Sequence, residues 1–119
     1  MKKALTVDDS FTVRNLVKMT LEGQGFSVDE ASNGKEALAK TQTNKYDLVI
    51  CDINMPVMDG LEFLKEFKKN NRATPVLMVT TETEVGKKQL AKQYGATGWI
   101  VKPFNPNDLI KVVKRVVRI

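Results

Sequence analysis

Short apolar runs alternate along this chain with stretches in which apolar residues recur every three or four positions. The first kind of pattern predicts strands covered on both faces, the second amphipathic helices. Ala4–Val7 predicts a buried strand, and Val13, Leu16, Val17, Thr20 and Leu21 then share one face of a helix from Ser10 to Gly23. Phe26–Ala31 is a weaker strand. Asn33-Gly34 is a turn signal before a short helix through Ala37, Leu38 and Lys40. Asp47–Cys51 is a second buried strand, followed by a loop over Ile53–Gly60 and a helix carrying Leu61, Leu64 and Phe67. After a polar turn at Asn70–Thr74, Pro75–Val79 reads as a strand opening on proline, and Glu84–Tyr94 as a helix stopped by Gly95. Gly98–Val101 is the last strand and Asn107–Val117 the last helix.

Five strands alternating with five helices predict a doubly wound α/β domain, an open parallel sheet with helices on both faces. Ligands of such sheets bind beyond the carboxyl ends of the strands, where strand order reverses. Four polar spots fall at the ends of apolar runs and would share that edge. Asp8-Asp9 follow Ala4–Val7, Asp52 follows Leu48–Cys51, Thr80-Thr81 follow Val76–Val79, and Lys102-Pro103 follow Trp99–Val101.

Composition narrows the alternatives. The 119 residues suit one domain over 1–119, large enough for a core without disulfides, and 42% hydrophobic with 28% charged residues is ordinary for a soluble protein. The single Cys51 lies in an apolar run and reads as a small buried hydrophobe in a reducing compartment. Met1-Lys2-Lys3 resembles the start of a signal peptide, but Asp8 and Asp9 end the apolar stretch too soon, and no run approaches the ~20 residues a membrane helix needs. A cytoplasmic protein is expected. The chain has no histidine, which excludes imidazole ligands, histidine bases and phosphohistidine on this chain.

Three acids in one small volume need a counter-charge. Two like charges about 4 Å apart repel by roughly 4 kcal/mol at a surface-like dielectric, so Asp8, Asp9 and Asp52 must take up a proton or bind a cation. Hard oxygen ligands suit Mg²⁺ or Mn²⁺. Lys102 can reach phosphoryl oxygens and the Thr80 hydroxyl can donate to one. Phosphoryl transfer needs little beyond positioning and neutralisation, and a carboxylate can be the nucleophile. Asp52, alone at a central strand end, is the natural candidate. Singly, each feature has a plainer explanation: Asp-Asp before a helix is often an N-cap, and Lys-Pro a solvated turn. Their coincidence on one edge carries the argument.

Asp8-Asp9-Ser10, Asp52-x-Asn54-Met55-Pro56-x-Met58-Asp59-Gly60, Thr80-Thr81-Glu82 and Val101-Lys102-Pro103-Phe104 resemble the receiver domain of bacterial two-component response regulators, and within it the stand-alone chemotaxis receivers. The resemblance spans essentially the whole chain. It implies a flavodoxin-like sheet in the order 2-1-3-4-5 and a sensor histidine kinase as phosphodonor to Asp52. It implies Mg²⁺ held by Asp8, Asp9, Asp52 and the backbone carbonyl of Asn54, and Lys102 paired with the phosphoryl group. The Lys102–Pro103 bond is then expected to be cis. A switch is also implied. Thr80 moves toward the phosphoryl group, Trp99 rotates inward behind it, and the surface of the fourth helix, fifth strand and fifth helix changes its output partner. Asn54 and Glu82 occupy positions that tune hydrolysis of the acyl phosphate, and this pair implies a short-lived signal.

Two details depart from the family's habit. Thr81 is bulkier than the usual Ala or Gly and narrows access, and Trp99 stands where Tyr or Phe is usual and needs more room to turn inward. Trp99 has a plain alternative as a core aromatic. Lys111, Lys114, Arg115 and Arg118 on the last helix, with Lys87, Lys88 and Lys92 before it, read as a solvated basic face, with docking of an acidic partner as the functional alternative. Direct nucleic-acid or membrane contact is not expected, and the protein is expected to be a monomer. As an enzyme it would act only on its own aspartyl phosphate. A phosphorelay intermediate, or the receiver part of a longer regulator, is the alternative within the family. A flavin carrier on the same fold lacks its phosphate-cradling loop, and no P-loop motif is present.

Overall fold

The computed structural model describes residues 2–81, 83 and 85–119. Strands β1 (Lys2–Val7), β2 (Phe26–Ala31), β3 (Leu48–Asp52), β4 (Val76–Thr80) and β5 (Gly98–Val101) alternate with helices α1 (Phe11–Glu22), α2 (Gly34–Thr43), α3 (Gly60–Lys68), α4 (Val85–Gln93) and α5 (Pro106–Val116). All strand pairs are parallel, in the order β2-β1-β3-β4-β5. Strand order therefore reverses between β1 and β3, and the crevice beyond their carboxyl ends is where such sheets bind ligands.

Alternation along each strand splits the core into two layers. Leu5, Val7, Val49, Cys51, Val76 and Met78 face Phe63, Leu64 and Phe67 of α3 and Ala91 of α4. Ala4, Leu48, Ile50, Leu77 and Val79 face Val17 and Leu21 of α1 and Leu109 and Val113 of α5. Both faces are covered, which is why the strands read as unbroken apolar runs.

Side chains set the helix starts. Ser10 accepts from the Val13 N–H at 3.3 Å, Asn33 from Glu36 at 2.9 Å, and Asp59 from Glu62 at 2.9 Å. Asn105 and Asp108 form a reciprocal capping box with Pro106 in the first turn.

The element bounds shift from the sequence expectation in several places. Lys2 and Lys3 join β1 because their backbones pair with Phe26 and Ser27, irrespective of their polar side chains. Asn33 caps α2 rather than making a turn, and α2 runs on to Thr43. β3 starts at Leu48 and includes Asp52, which pairs with Val79, while β4 starts after Pro75 and includes Thr80. The loop expected over Ile53–Gly60 ends one residue early, since Gly60 already lies in α3. α4 ends at Gln93 and Gly95 follows at φ +102°, a left-handed backbone suited to glycine. α5 ends at Val116, so Arg118 lies beyond it. Among the described residues no helix is long and apolar enough to cross a membrane.

Candidate functional site

The carboxyl ends of β1, β3, β4 and β5 bring together the residues expected there. Asp8 leaves β1 almost fully buried, Asp52 ends β3 at 6% exposure, and Asp9 is exposed. One carboxylate oxygen from each of Asp8, Asp9 and Asp52 lies within 4.8 Å of the others. Asp8 Oδ1 accepts from the Ser10 N–H at 2.8 Å, and the Asp8 carbonyl accepts from Arg14 Nη1 at 2.7 Å. Arg14 is itself held by Glu30 on β2, with Nε 3.3 Å from Oε1. Asp8 Oδ2 is buried with no hydrogen-bond partner among the described residues, at ion-pair distance (3.5 Å) from Lys102 Nζ. Lys102 Nζ also lies 3.2 Å from Asp52 Oδ2.

The electrostatics follow from that crowding. Burial first, and the charge of Asp8 second, push the Asp52 carboxyl up to about 6, even though Lys102 and the Asn54 backbone N–H favour its ionised form. Burial likewise raises Asp8. Burial alone would lower the Lys102 ammonium, but the carboxylates of Asp52 and Asp8 beside it outweigh that and raise its pKa. One cation cannot neutralise three acids. The lone-pair-rich Asp8 Oδ2 and the clustered hard oxygens fit a divalent ion such as Mg²⁺.

The backbone around Asp52 is tightly built. The Ile53 N–H donates to the Val79 carbonyl at 3.2 Å, and the Gly60 N–H donates back to Ile53 at 2.8 Å. A Cβ on Gly60 would sit 2.0 Å from the Asp52 carbonyl oxygen, so only glycine allows α3 to begin there. Between them the Met58 N–H reaches the Pro56 carbonyl at 2.8 Å around Val57, whose φ of 70° is a strained γ-turn conformation for a β-branched residue. The Met58 carbonyl in turn accepts from Gly34 at 2.9 Å, tying this loop to α2.

Thr80 ends β4 buried, and its hydroxyl has no hydrogen-bond partner among the described residues. The Lys102 N–H donates to the Thr80 carbonyl at 2.7 Å, and the Lys102–Pro103 bond is cis. Thr81 is exposed and, with Val13, Leu16, Lys102, Pro103 and Phe104, lines a mainly apolar pocket of about 430 Å³ beside the acids. Trp99 is not core: it is 37% exposed, with Lys88 Nζ 5.8 Å from its ring centroid. Asn54 lies exposed in the loop after β3, and Glu82 lies outside the described residues. Sequence reasoning missed two contacts at this edge. Arg14 is one. The other is Lys87 of α4, whose Nζ donates to Asn54 Oδ1 at 2.6 Å. A helix-surface lysine carries no local signal for such a role.

A family model for the response regulator receiver domain matches residues 4–114. The chain is 38% identical over 98% of its length to the transcriptional regulatory protein ResD of Bacillus subtilis, covering 48% of that protein. It is likewise 38% identical over 98% to the alkaline phosphatase synthesis transcriptional regulatory protein PhoP of the same organism, covering 49% of it. The chain thus spans about half the length of these curated relatives. Among solved structures it is similar to the chemotaxis response regulator CheY4 of Vibrio cholerae, with a TM-score of 0.93, 50% identity, and coverage of 98% of this chain and 99% of that one. A CheY-like receiver domain protein from Methanospirillum hungatei gives 0.92 at 32% identity, covering 97% and 92%.

Proposed function

We propose, from the premise that this chain belongs to the response regulator receiver domain family, that it accepts a phosphoryl group on Asp52 from a sensor histidine kinase and thereby switches partner binding. The observation that carries this is the convergence of Asp8, Asp9, Asp52, Thr80 and Lys102 on one sheet edge, with the acid oxygens within 4.8 Å and Lys102 3.2 Å from Asp52. Asp52 Oδ attacks phosphorus and the donor's leaving group departs with its bonding pair. Mg²⁺ held by Asp8, Asp9, Asp52 and the Asn54 carbonyl supplies charge neutralisation when bound, and Mn²⁺ offers the same chemistry. Lys102, already positioned by the two acids, pairs with the incoming phosphoryl oxygens. Thr80, a buried hydroxyl lacking a described partner, has a donor to offer them. The switch runs from Thr80 to Trp99, and the output partner binds over α4, β5 and α5. Asn54 and Glu82 tune hydrolysis, and the chain catalyses only the making and breaking of its own acyl phosphate.

Chemotaxis-type signalling is supported by 50% identity to CheY4 over nearly the full length of both chains, and on this reading the receiver acts as a monomer in the cytoplasm. A second reading, the receiver part of a longer regulator or relay, is favoured by the half-length match to ResD and PhoP. The first test is incorporation of label from radiolabelled acetyl phosphate with Mg²⁺. Wild type is expected to take up base-labile label that chelator prevents and Asp52→Asn abolishes. Equal labelling of Asp52→Asn would overturn the assignment.

A further inference from the structure

Asp8 is the first residue after β1, and its polar groups are held from several sides. Its N–H donates to the Ala31 carbonyl at the end of β2 at 3.1 Å. Its Oδ1 accepts from the Ser10 N–H at 2.8 Å, and its carbonyl accepts from Arg14 Nη1 at 2.7 Å. The other carboxylate oxygen, Oδ2, lies 3.5 Å from Lys102 Nζ, which is also 3.2 Å from Asp52 Oδ2. Oδ2 is thereby placed among the clustered acids.

Arg14 stands in the first turn of α1 with its side chain 17% exposed. Its Nε lies 3.3 Å from Oε1 of Glu30, the β2 residue just before Ala31. One guanidinium therefore spans from β2 to the Asp8 carbonyl, so β2 grips the Asp8 backbone at its N–H through Ala31 and at its carbonyl through Arg14. A planar guanidinium offers both donors in one fixed fork, which the single nitrogen of lysine cannot. Lys18, one turn further along α1, reaches Glu30 Oε2 at 3.5 Å and forms no hydrogen bond or ion pair with Asp8 among the described residues. From this clamp we infer that Arg14 is a positioning residue for the divalent-cation site: by fixing the Asp8 backbone it fixes the direction in which Oδ2 is presented to the ion.

This role rests on the reading of Asp8, Asp9 and Asp52 as a cation site. A carboxylate already held in its binding direction has less freedom to lose when the ion arrives. Groups that orient a metal ligand accordingly matter to affinity though they never touch the metal. Charge and position pull in opposite directions here, which makes the sign of the effect informative. A guanidinium against a metal ligand repels an incoming cation, so on charge alone the loss of Arg14 strengthens binding. Loss of positioning weakens it.

The test titrates Mn²⁺ into the metal-free protein and reads the free ion from its electron paramagnetic resonance signal, at a temperature where melts with chelator show each variant folded. Arg14→Ala is expected to bind Mn²⁺ about 10-fold more weakly than wild type, the low end of what losing a ligand-orienting group costs a metal site. Arg14→Lys keeps the charge without the fork and is expected to lose about 3-fold, which carries the comparison if Arg14→Ala does not fold. Lys18→Ala removes an equal charge from the same Glu30 and is expected to stay within about twofold of wild type. Glu30→Ala is expected to bind at least about 3-fold more weakly than Glu30→Gln, since the two share one charge and only glutamine can still accept from Arg14 Nε. Affinity unchanged or raised in Arg14→Ala, an equal loss in Lys18→Ala, or equal affinities of the two Glu30 variants would overturn the inference. So would a metal-free melting temperature lowered in Arg14→Ala with Mn²⁺ affinity intact, the mark of a staple between α1 and β2. Mn²⁺ that binds Asp8→Asn as tightly as wild type, or binds neither, removes the cation site and the inference with it. Mn²⁺ that requires Asp8 and ignores Arg14 overturns the inference alone.

Discussion

Burial, and then the charge of Asp8, lift the Asp52 carboxyl from an ordinary 3.8 to about 6. Because the folded value exceeds the unfolded one, the folded state holds the extra proton between them. The contribution to stability is therefore fully present below the unfolded value and lost as pH rises through the folded one. Asp52→Asn, which lacks this titration, is expected to gain thermal stability relative to metal-free wild type as pH rises from about 4 to about 7. Thermal melts with chelator across that range measure it, and a constant difference between the two proteins would contradict it. Adding Mg²⁺ is expected to raise the wild-type Tm more at about pH 7 than at about pH 5, since the ion needs ionised carboxylates. Cys51 is the opposite kind of residue, buried, with its thiol pushed up first by that burial, and it is left to packing. Asp8, Asp9, Asp52, Thr80 and Lys102 were legible in the sequence because each interrupts an apolar run. Lys87 and Arg14 were not, because nothing nearby in sequence separates them from any other cation on a helix.

At the level of elements, α3 begins against the end of β3. The Gly60 N–H bonds to Ile53, and there is no room for a methyl group beside the Asp52 carbonyl. Gly60→Ala must push α3 or the end of β3 aside. A loss of about 1–3 kcal/mol of unfolding free energy is expected from overpacking, together with slower labelling at Asp52. Urea unfolding and acetyl phosphate labelling check both, and a stable, normally labelled Gly60→Ala would show that the contact yields freely. The apolar pattern marked Gly60 as a loop residue and the resemblance as part of a motif, but neither showed why a glycine is needed, because a close approach between elements leaves no trace in local pattern. Strand ends were misplaced for a related reason. Lys2 and Lys3 are held by backbone ladder bonds that polarity does not report, and Asp52 and Thr80 complete strands whose apolar residues stop one position earlier. Phe26–Ala31 and Gly98–Val101, bounded by glycine or polar residues on both sides, came out as read.

For the whole molecule, covering a parallel sheet on both faces places every strand's carboxyl end at one edge, and that single fact turns scattered motifs into a site. The same sheet connects the site to the outside. Thr80 and Val101 are register partners on β4 and β5, and Met78 pairs with Trp99, so the acceptor edge and the exposed tryptophan are two rungs apart. On the proposed reading, a phosphoryl group that binds one arrangement of Thr80 better than another is expected to shift the population of Trp99 rotamers. The sequence carried this topology because alternation of element types leaves few ways to wind such a sheet, whereas the outward setting of Trp99 and its cover by Lys88 depended on packing. Fluorescence of the single Trp99, with Mg²⁺ present and beryllofluoride titrated as a stable phosphoryl mimic, tests the coupling most directly. A saturable change in wild type that requires Mg²⁺ and disappears in Asp52→Asn is the expected result. Saturable binding of beryllofluoride at Asp52 with no change at Trp99 would contradict the coupling, and a change that persists in Asp52→Asn would contradict the site.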